Sequence, residues 1–154
     1  MLRRSALIVL AATLGVAAHL PAQDPCLFTR YSAADIATIL RNEGYGTVQV
    51  LEGSRVSFKA EGSSFLLVLY DGGDLQLYYA LSGARITTED VNEWNRTRRL
   101  ARAYIDTNRT AALESDLPAY AGLNAQMVKG FAQLFVQTLA PAYRVFVTER
   151  GRRP

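Results

Sequence analysis

Ile86-Thr87-Thr88-Glu89-Asp90-Val91-Asn92-Glu93-Trp94-Asn95-Arg96-Thr97-Arg98-Arg99-Leu100-Ala101-Arg102-Ala103-Tyr104-Ile105-Asp106 is the stretch on which the fold depends. A polar turn, Thr107-Asn108-Arg109-Thr110, and then Ala111-Ala112-Leu113-Glu114-Ser115-Asp116-Leu117 follow it. It holds the single tryptophan, Trp94, flanked by Asn92 and Asn95, and the densest run of arginines. Thr88 is placed to cap a helix, with Glu89 and Asp90 suited to the positive end of its dipole. Two continuations fit the residues. Val91, Trp94, Arg98, Ala101 and Ile105 can form one face of a long helix. Alternatively the helix stops near 96–98, and Leu100–Ile105 pairs as a strand with Ala111–Leu117, Asn108 taking the left-handed turn position.

Upstream, Ser32 with Asp35 three residues on forms a capping box for a helix whose apolar stripe is Ile36, Ile39 and Leu40. Gly44 suits its C-terminal cap. A meander of short strands follows. Thr47–Val50 alternates and ends at the turn Glu52-Gly53-Ser54. In 55–60 the alternation places Val56, Phe58 and Ala60 inward and Arg55, Ser57 and Lys59 outward. Phe65–Tyr70 is apolar on both faces, which predicts a central strand covered on both sides. Asp71-Gly72-Gly73-Asp74 turns the chain into its partner, Leu75–Leu81. Downstream, Leu123, Met127, Phe131, Leu134, Phe135 and Leu139 mark one face of a helix beginning after Gly122. Pro141 is expected to kink or end it, leaving Tyr143, Val145 and Val147 to extend over the sheet or another surface.

The ends carry most of the basic charge. Arg3 and Arg4, the apolar run Ala6–Ala18 and the break Leu20-Pro21 follow the secretory pattern, with cleavage after Ala22 or after Ala18. The run is too short for a comfortable membrane span, which needs about 20 apolar residues. The expected organisation is a cleaved leader over 1–22, a lead over 23–30, a domain over 31–148 and a basic disordered tail over 149–154. The whole chain has 17 basic and 14 acidic residues, a net charge of +3. Without Arg3 and Arg4 the balance is +1, and without Arg150, Arg152 and Arg153 as well it is −2. A body of that charge argues against a nucleic-acid partner, which wants a basic patch on the domain itself. The expected destination is periplasmic or secreted, with no integral span once the leader is removed.

Asn92-Glu93-Trp94-Asn95, the arginine run behind it, Ala103-Tyr104-Ile105-Asp106 and Leu113-Glu114-Ser115-Asp116-Leu117 together resemble the signature of the YbjN-like family, which is labelled a bacterial sensory transduction regulator. The resemblance runs from about Ala33 to Phe146. It implies an α+β fold similar to type III secretion chaperones. An antiparallel sheet of about six strands would carry an N-terminal helix, a middle helix and a long C-terminal helix packed on it. It thereby favours the shorter middle helix followed by a hairpin. It implies protein binding as a theme and no established reaction. The chain departs from many relatives in its 107–110 turn, where they place acidic and glycine residues, and in its export leader, since many are cytoplasmic.

The chemistry available to the mature chain is narrow. His19, the single histidine, lies in or beside the leader, which removes the usual general base and the commonest transition-metal ligand. Cys26 has no cysteine to pair with in the same chain and no lipobox before it, so it is either silent or paired between chains. Glu114 and Asp116 share a strand face and Asp106 lies across the hairpin, a set that could serve an acid–base reaction or a hard cation. Arg99, Arg102 and Arg109 beside them favour an ion-pair ladder. Trp94 either packs helix onto sheet, with Asn92 and Asn95 satisfying backbone groups, or forms a partner-binding rim with Asn92, Asn95, Arg99, Arg102 and Tyr104. The expected function is a non-enzymatic module for an unknown protein or peptide, a homodimer being one expected form, with no catalytic residue, metal or cofactor. The competing class is a small-molecule or lipid binder, or a carboxylate enzyme with its acids in a closed pocket.

Overall fold

The computed structural model describes Leu27 and residues 30–152. The leader with His19, and Cys26, lie outside the described residues. Helix α1 (Ala33–Asn42) starts where its capping box predicts. The Ser32 hydroxyl accepts from the Asp35 N–H at 3.2 Å, and the Asp35 carboxylate accepts from the Ser32 N–H at 3.0 Å. It closes at Glu43, and Gly44 takes the left-handed turn beyond it at φ +82°.

Six strands follow as β1 (Gly46–Leu51), β2 (Arg55–Ala60), β3 (Ser63–Leu69), β4 (Leu75–Leu81), β5 (Arg102–Ile105) and β6 (Ala111–Leu117). They form one antiparallel sheet in the order β1-β2-β3-β4-β6-β5. Helix α2 (Thr88–Thr97) sits between β4 and β5. Its cap is Thr87, one residue before the expected Thr88, because the Thr87 hydroxyl and the Asp90 carboxylate make the reciprocal pair. The helix stops at Thr97, so the hairpin reading of 98–117 holds. In the hairpin turn Arg109, not Asn108, takes the positive φ of 59°. Asp106 has claimed the turn instead, accepting from the N–H groups of Asn108 and Thr110 at 2.9 and 2.8 Å.

All the helices of the described residues lie on one face of the sheet. Val56, Phe58, Phe65, Leu67, Leu75, Leu77, Tyr79, Ala103, Ala111 and Leu113 point into that layer and are buried. β3 is central, but the expectation that it is covered on both sides is not met. Phe65 and Leu67 are buried, while Leu66 and Val68 on the opposite face remain half-exposed. An apolar run shows that both faces of a strand resist water; it does not supply a second layer to cover them.

The C-terminal segment corrects the sequence reading most. α3 (Ala125–Leu134), capped by Asn124, passes through a π turn over Phe135–Leu139 into α4 (Ala140–Gly151). Pro141 neither ends nor breaks the rod. The Ala140 N–H donates to the Phe135 carbonyl, five residues back, so the hydrogen-bond ladder shifts just before the proline. Pro141 thus falls within the first turn of α4, where a missing N–H costs little. Tyr143 and Val147 are therefore helical and buried, and Val145 is helical and exposed. Residues 149–151, expected in a disordered tail, belong to α4. Arg150 anchors them, paired with Glu93 and lying 3.4 Å from Asp90, with its guanidinium over the Phe146 ring.

Trp94 closes the core where α2 meets α4, edge-on to Tyr143 at 5.0 Å and to Phe146 at 5.4 Å. The Trp94 indole N–H and the Tyr143 hydroxyl are both buried without a hydrogen-bond partner. Burial also raises the Tyr143 phenol above its ordinary pKa. The folded chain thus holds that proton where the unfolded chain releases it. Its contribution to stability is complete below pH about 10 and is lost as pH rises beyond. Tyr143→Phe is therefore expected to gain about 1 kcal/mol at neutral pH and to flatten the fall in stability above pH about 10. Urea titrations of both proteins at pH 7 and above pH 10 check this; a less stable variant would show that the hydroxyl has a partner.

Candidate functional site

The two edges of the sheet are closed differently. On the β5 edge, the Asn95 side chain of α2 acts as an extra strand residue. Its Oδ1 accepts from the Ala103 N–H at 2.8 Å and its Nδ2 donates to the Ala103 carbonyl at 3.0 Å. On the β1 edge, the register slips between Gly46 and Gln49, with Thr47 at φ +49°. There the Arg41 guanidinium donates to the Val48 carbonyl at 3.1 Å. A side-chain clamp and a bulge are devices that blunt strand addition.

Among the described residues, what remains open is the face of the sheet away from the helices. The pairings Leu66↔Tyr78, Tyr78↔Glu114 and Glu114↔Arg102 lay one continuous row across β3, β4, β6 and β5. Beside it Val68↔Gln76 and Gln76↔Asp116 lay a second. Tyr70 donates to Gln76 at 3.0 Å, and the Tyr78 and Tyr104 hydroxyls lie beside the Asp106 and Glu114 carboxylates. Gln76 in turn donates to Asp116 at 2.8 Å. Glu114 is only 4% exposed although no helix of the described residues covers it, because Arg102 pairs with it and Tyr104 lies beside it.

The electrostatics follow from this packing. Burial raises the Tyr78 phenol, and the Asp106 and Glu114 carboxylates raise it further. Tyr104 is raised by burial and then by its bond to Glu114. The bond to Glu114, first, and its charge raise the Arg102 guanidinium. At neutral pH the Tyr78 and Tyr104 phenols are therefore neutral, and they lie beside the Arg102–Glu114 ion pair.

The residues singled out from the sequence separate into three groups. Trp94 is 1% exposed and belongs to the core, and Asn95 belongs to the β5 clamp. Asn92 and Arg99 are exposed on α2 and just beyond it. Arg102 and Tyr104 lie on the open face. The ion-pair ladder reduces to the single pair Arg102–Glu114 among the described residues. The carboxylates Asp106, Glu114 and Asp116 do not converge in one cavity. Asp106 holds its turn, Glu114 is covered, and Asp116 alone lines a shallow depression of about 270 Å³ with Tyr70, Asp74, Gln76, Arg102 and Pro118. No group of three or more metal-binding side chains occurs among the described residues, and no helix there is long and apolar enough to cross a membrane.

Leu66, Val68, Tyr70 and Tyr78 were not singled out from the sequence. The two-sided apolar run through β3 carries the signal for Leu66, Val68 and Tyr70, and the same run equally predicts burial.

Residues 32–147 match the model of the family described as "Putative bacterial sensory transduction regulator", YbjN. The chain belongs to the YbjN family. Comparison with curated proteins gives no match. Among solved structures, this YbjN chain is similar in fold to the Yersinia pestis type III secretion chaperone SycH, solved in complex with a stable fragment of YscM2. The TM-score is 0.52 at 12% identity, covering 71% of this chain and 98% of that one. The α+β fold of six antiparallel strands with helices on one side is thus a chaperone-like fold, as the resemblance in the sequence implied.

Proposed function

We propose that this YbjN protein is an exported module of the bacterial envelope that binds a protein or peptide on the helix-free face of its sheet and performs no chemistry itself. Its role is then chaperone-like or regulatory, in keeping with the family description. The observation that carries the reading is the row Leu66–Tyr78–Glu114–Arg102, bordered by Tyr104, Tyr70 and Val68, with no layer over it among the described residues. Tyrosine and arginine are among the side chains most enriched where binding energy concentrates, and a half-buried ring loses little freedom on binding. Blunted edges favour docking on the face over addition of a strand. That a protein of the same fold was solved holding a protein fragment is consistent with this. Export rests on the leader, and a homodimer belongs to the same reading.

A photo-crosslinking residue at position 66, introduced into the chain in its own cell, is expected to trap one discrete envelope protein. Tyr78→Ala should weaken binding of that protein about 30-fold, the effect of a central aromatic anchor, with the melting curve retained. The same fraction should yield a mature N-terminus at Gln23 or His19. Absence of any adduct at 66 while an equivalent probe on α2 gives one would move the binding surface elsewhere.

A further inference from the structure

The loop between β4 and α2 meets the last turn of α4 in a notch of about 320 Å³ whose charges are all of one sign. Arg85 and Arg152 line it, with Ser82 and Thr148 beside them, and among the described residues no Asp or Glu does. Half-buried Leu81 and buried Val147 form the apolar part of its wall. Two features of the fold build it. Gly151 lets α4 close on the loop, since a Cβ there would already meet the Arg85 carbonyl oxygen at 3.6 Å and the Arg85 nitrogen at 3.8 Å. Arg150, one residue earlier, ties the same turn to α2 through Glu93 and Asp90. Packing therefore sets the notch before any ligand arrives.

Its donors are unspent. Neither Arg85 nor Arg152 has a side-chain hydrogen bond or an ion pair among the described residues. Gly83 turns the loop at φ +70°, and the N–H groups of Gly83, Ala84 and Arg85 find no acceptor there either. The Ser82 hydroxyl is free as well, whereas the Thr148 hydroxyl donates to the Arg144 carbonyl at 2.8 Å. Guanidinium forks and successive backbone N–H groups at a turn are the groups with which proteins hold oxyanions. The acids nearby are engaged or outside the notch. Glu93 and Asp90 pair with Arg150, Glu89 is exposed on the first turn of α2, and Glu149 lines the adjoining depression with Arg144. The negative end of the α4 dipole opposes an anion, but with only about half a unit charge against two guanidinium groups.

We propose that this notch binds a phosphate group. A carboxylate brings two oxygens and one charge. A phosphate brings more acceptor oxygens and up to two charges, which matches two guanidinium forks, three N–H groups and a hydroxyl. A soluble phosphate and the headgroup of an anionic lipid present the same chemistry to it. The notch shares no residue with the open face of the sheet, so the inference does not rest on what that face binds.

Two probes test it on the purified full chain: inorganic phosphate, followed by the amide resonances at low ionic strength, and flotation with phosphatidylglycerol vesicles. Saturable movement of the Gly83, Ala84 and Arg85 amides below about 10 mM phosphate, absent with chloride at equal ionic strength, identifies a soluble phosphate as the ligand. Flotation without that movement identifies a lipid headgroup. In whichever arm binds, Arg85→Gln and Arg152→Gln should each weaken binding at least about 10-fold, the loss expected for a charge-assisted hydrogen bond. Arg55→Gln, which removes a charge from β2, should leave it unchanged. Arg85 and Arg152 are exposed, so the circular dichroism spectra of their variants should match that of the wild type. If neither probe binds, if chloride serves as well as phosphate, or if both notch variants bind as tightly as the wild type, the proposal is overturned.

Discussion

Trp94→Ala is expected to lower the unfolding free energy by about 3–5 kcal/mol, the usual range for truncating a large buried aromatic. Trp94 is the largest fully buried side chain, and it touches two aromatic rings of α4 edge-on. Such pairs add to the area they bury. The loss is a large part of the roughly 5–15 kcal/mol that holds a domain together. Trp94→Phe should recover more than half of it, because it restores a ring and removes the unpartnered indole N–H. Urea unfolding followed by far-ultraviolet circular dichroism measures both. A loss below about 1 kcal/mol for Trp94→Ala would take the tryptophan out of the core. It follows that weak binding by a Trp94 variant reports on folding before it reports on a partner.

The second large effect belongs to Arg150. Its guanidinium links α4 to α2 through Asp90 and Glu93 and lies over Phe146, and its side chain is mostly buried. Arg150→Ala should cost about 2 kcal/mol. That is below the 3–5 kcal/mol of a fully buried pair, because Glu93 keeps part of its hydration. The loss should appear first as faster amide exchange in α2, since the Asn95 clamp on β5 and the Trp94 contact are then its main remaining ties. Cutting the chain after Glu149 should reproduce the effect. If truncation leaves stability and exchange unchanged, residues 150–154 are the dispensable tail that their composition suggests.

How much of this was legible in the sequence depends on the range of the interaction involved. Ser32 with Asp35, and the alternation Val56–Phe58, act over a few residues, and both appear as read. The cap on α2 moved by one residue because two adjacent threonines can serve and only the reach of Asp90 chooses between them. Asn108 was the natural left-handed residue, yet Asp106 takes both amides of the turn and passes the positive φ to Arg109. Pro141 is expected to kink or end a helix, and the helix continues past it through a π turn. The π turn is invisible to periodicity because it inserts one residue into the count, and it is stabilised by what α4 then buries, Tyr143 and Val147.

The candidate surface shows the same division. Arg102 and Tyr104 were picked from the signature, but Leu66, Tyr70 and Tyr78 join them through pairings between distant strands. Asn92, Trp94 and Asn95 look like one cluster in sequence. The helix separates them into a solvent-facing residue, a core ring and a clamp on the sheet edge.

The sequence by itself determined the element types, the family and the narrow chemistry of the chain, because caps, alternation and composition are local properties. Which face of the sheet stays uncovered was decided only by tertiary structure. The apolar run of β3 asks for cover on both sides, and the helical segments of the described residues supply it on one. Where those helices pack is a competition among distant surfaces that no single stretch records.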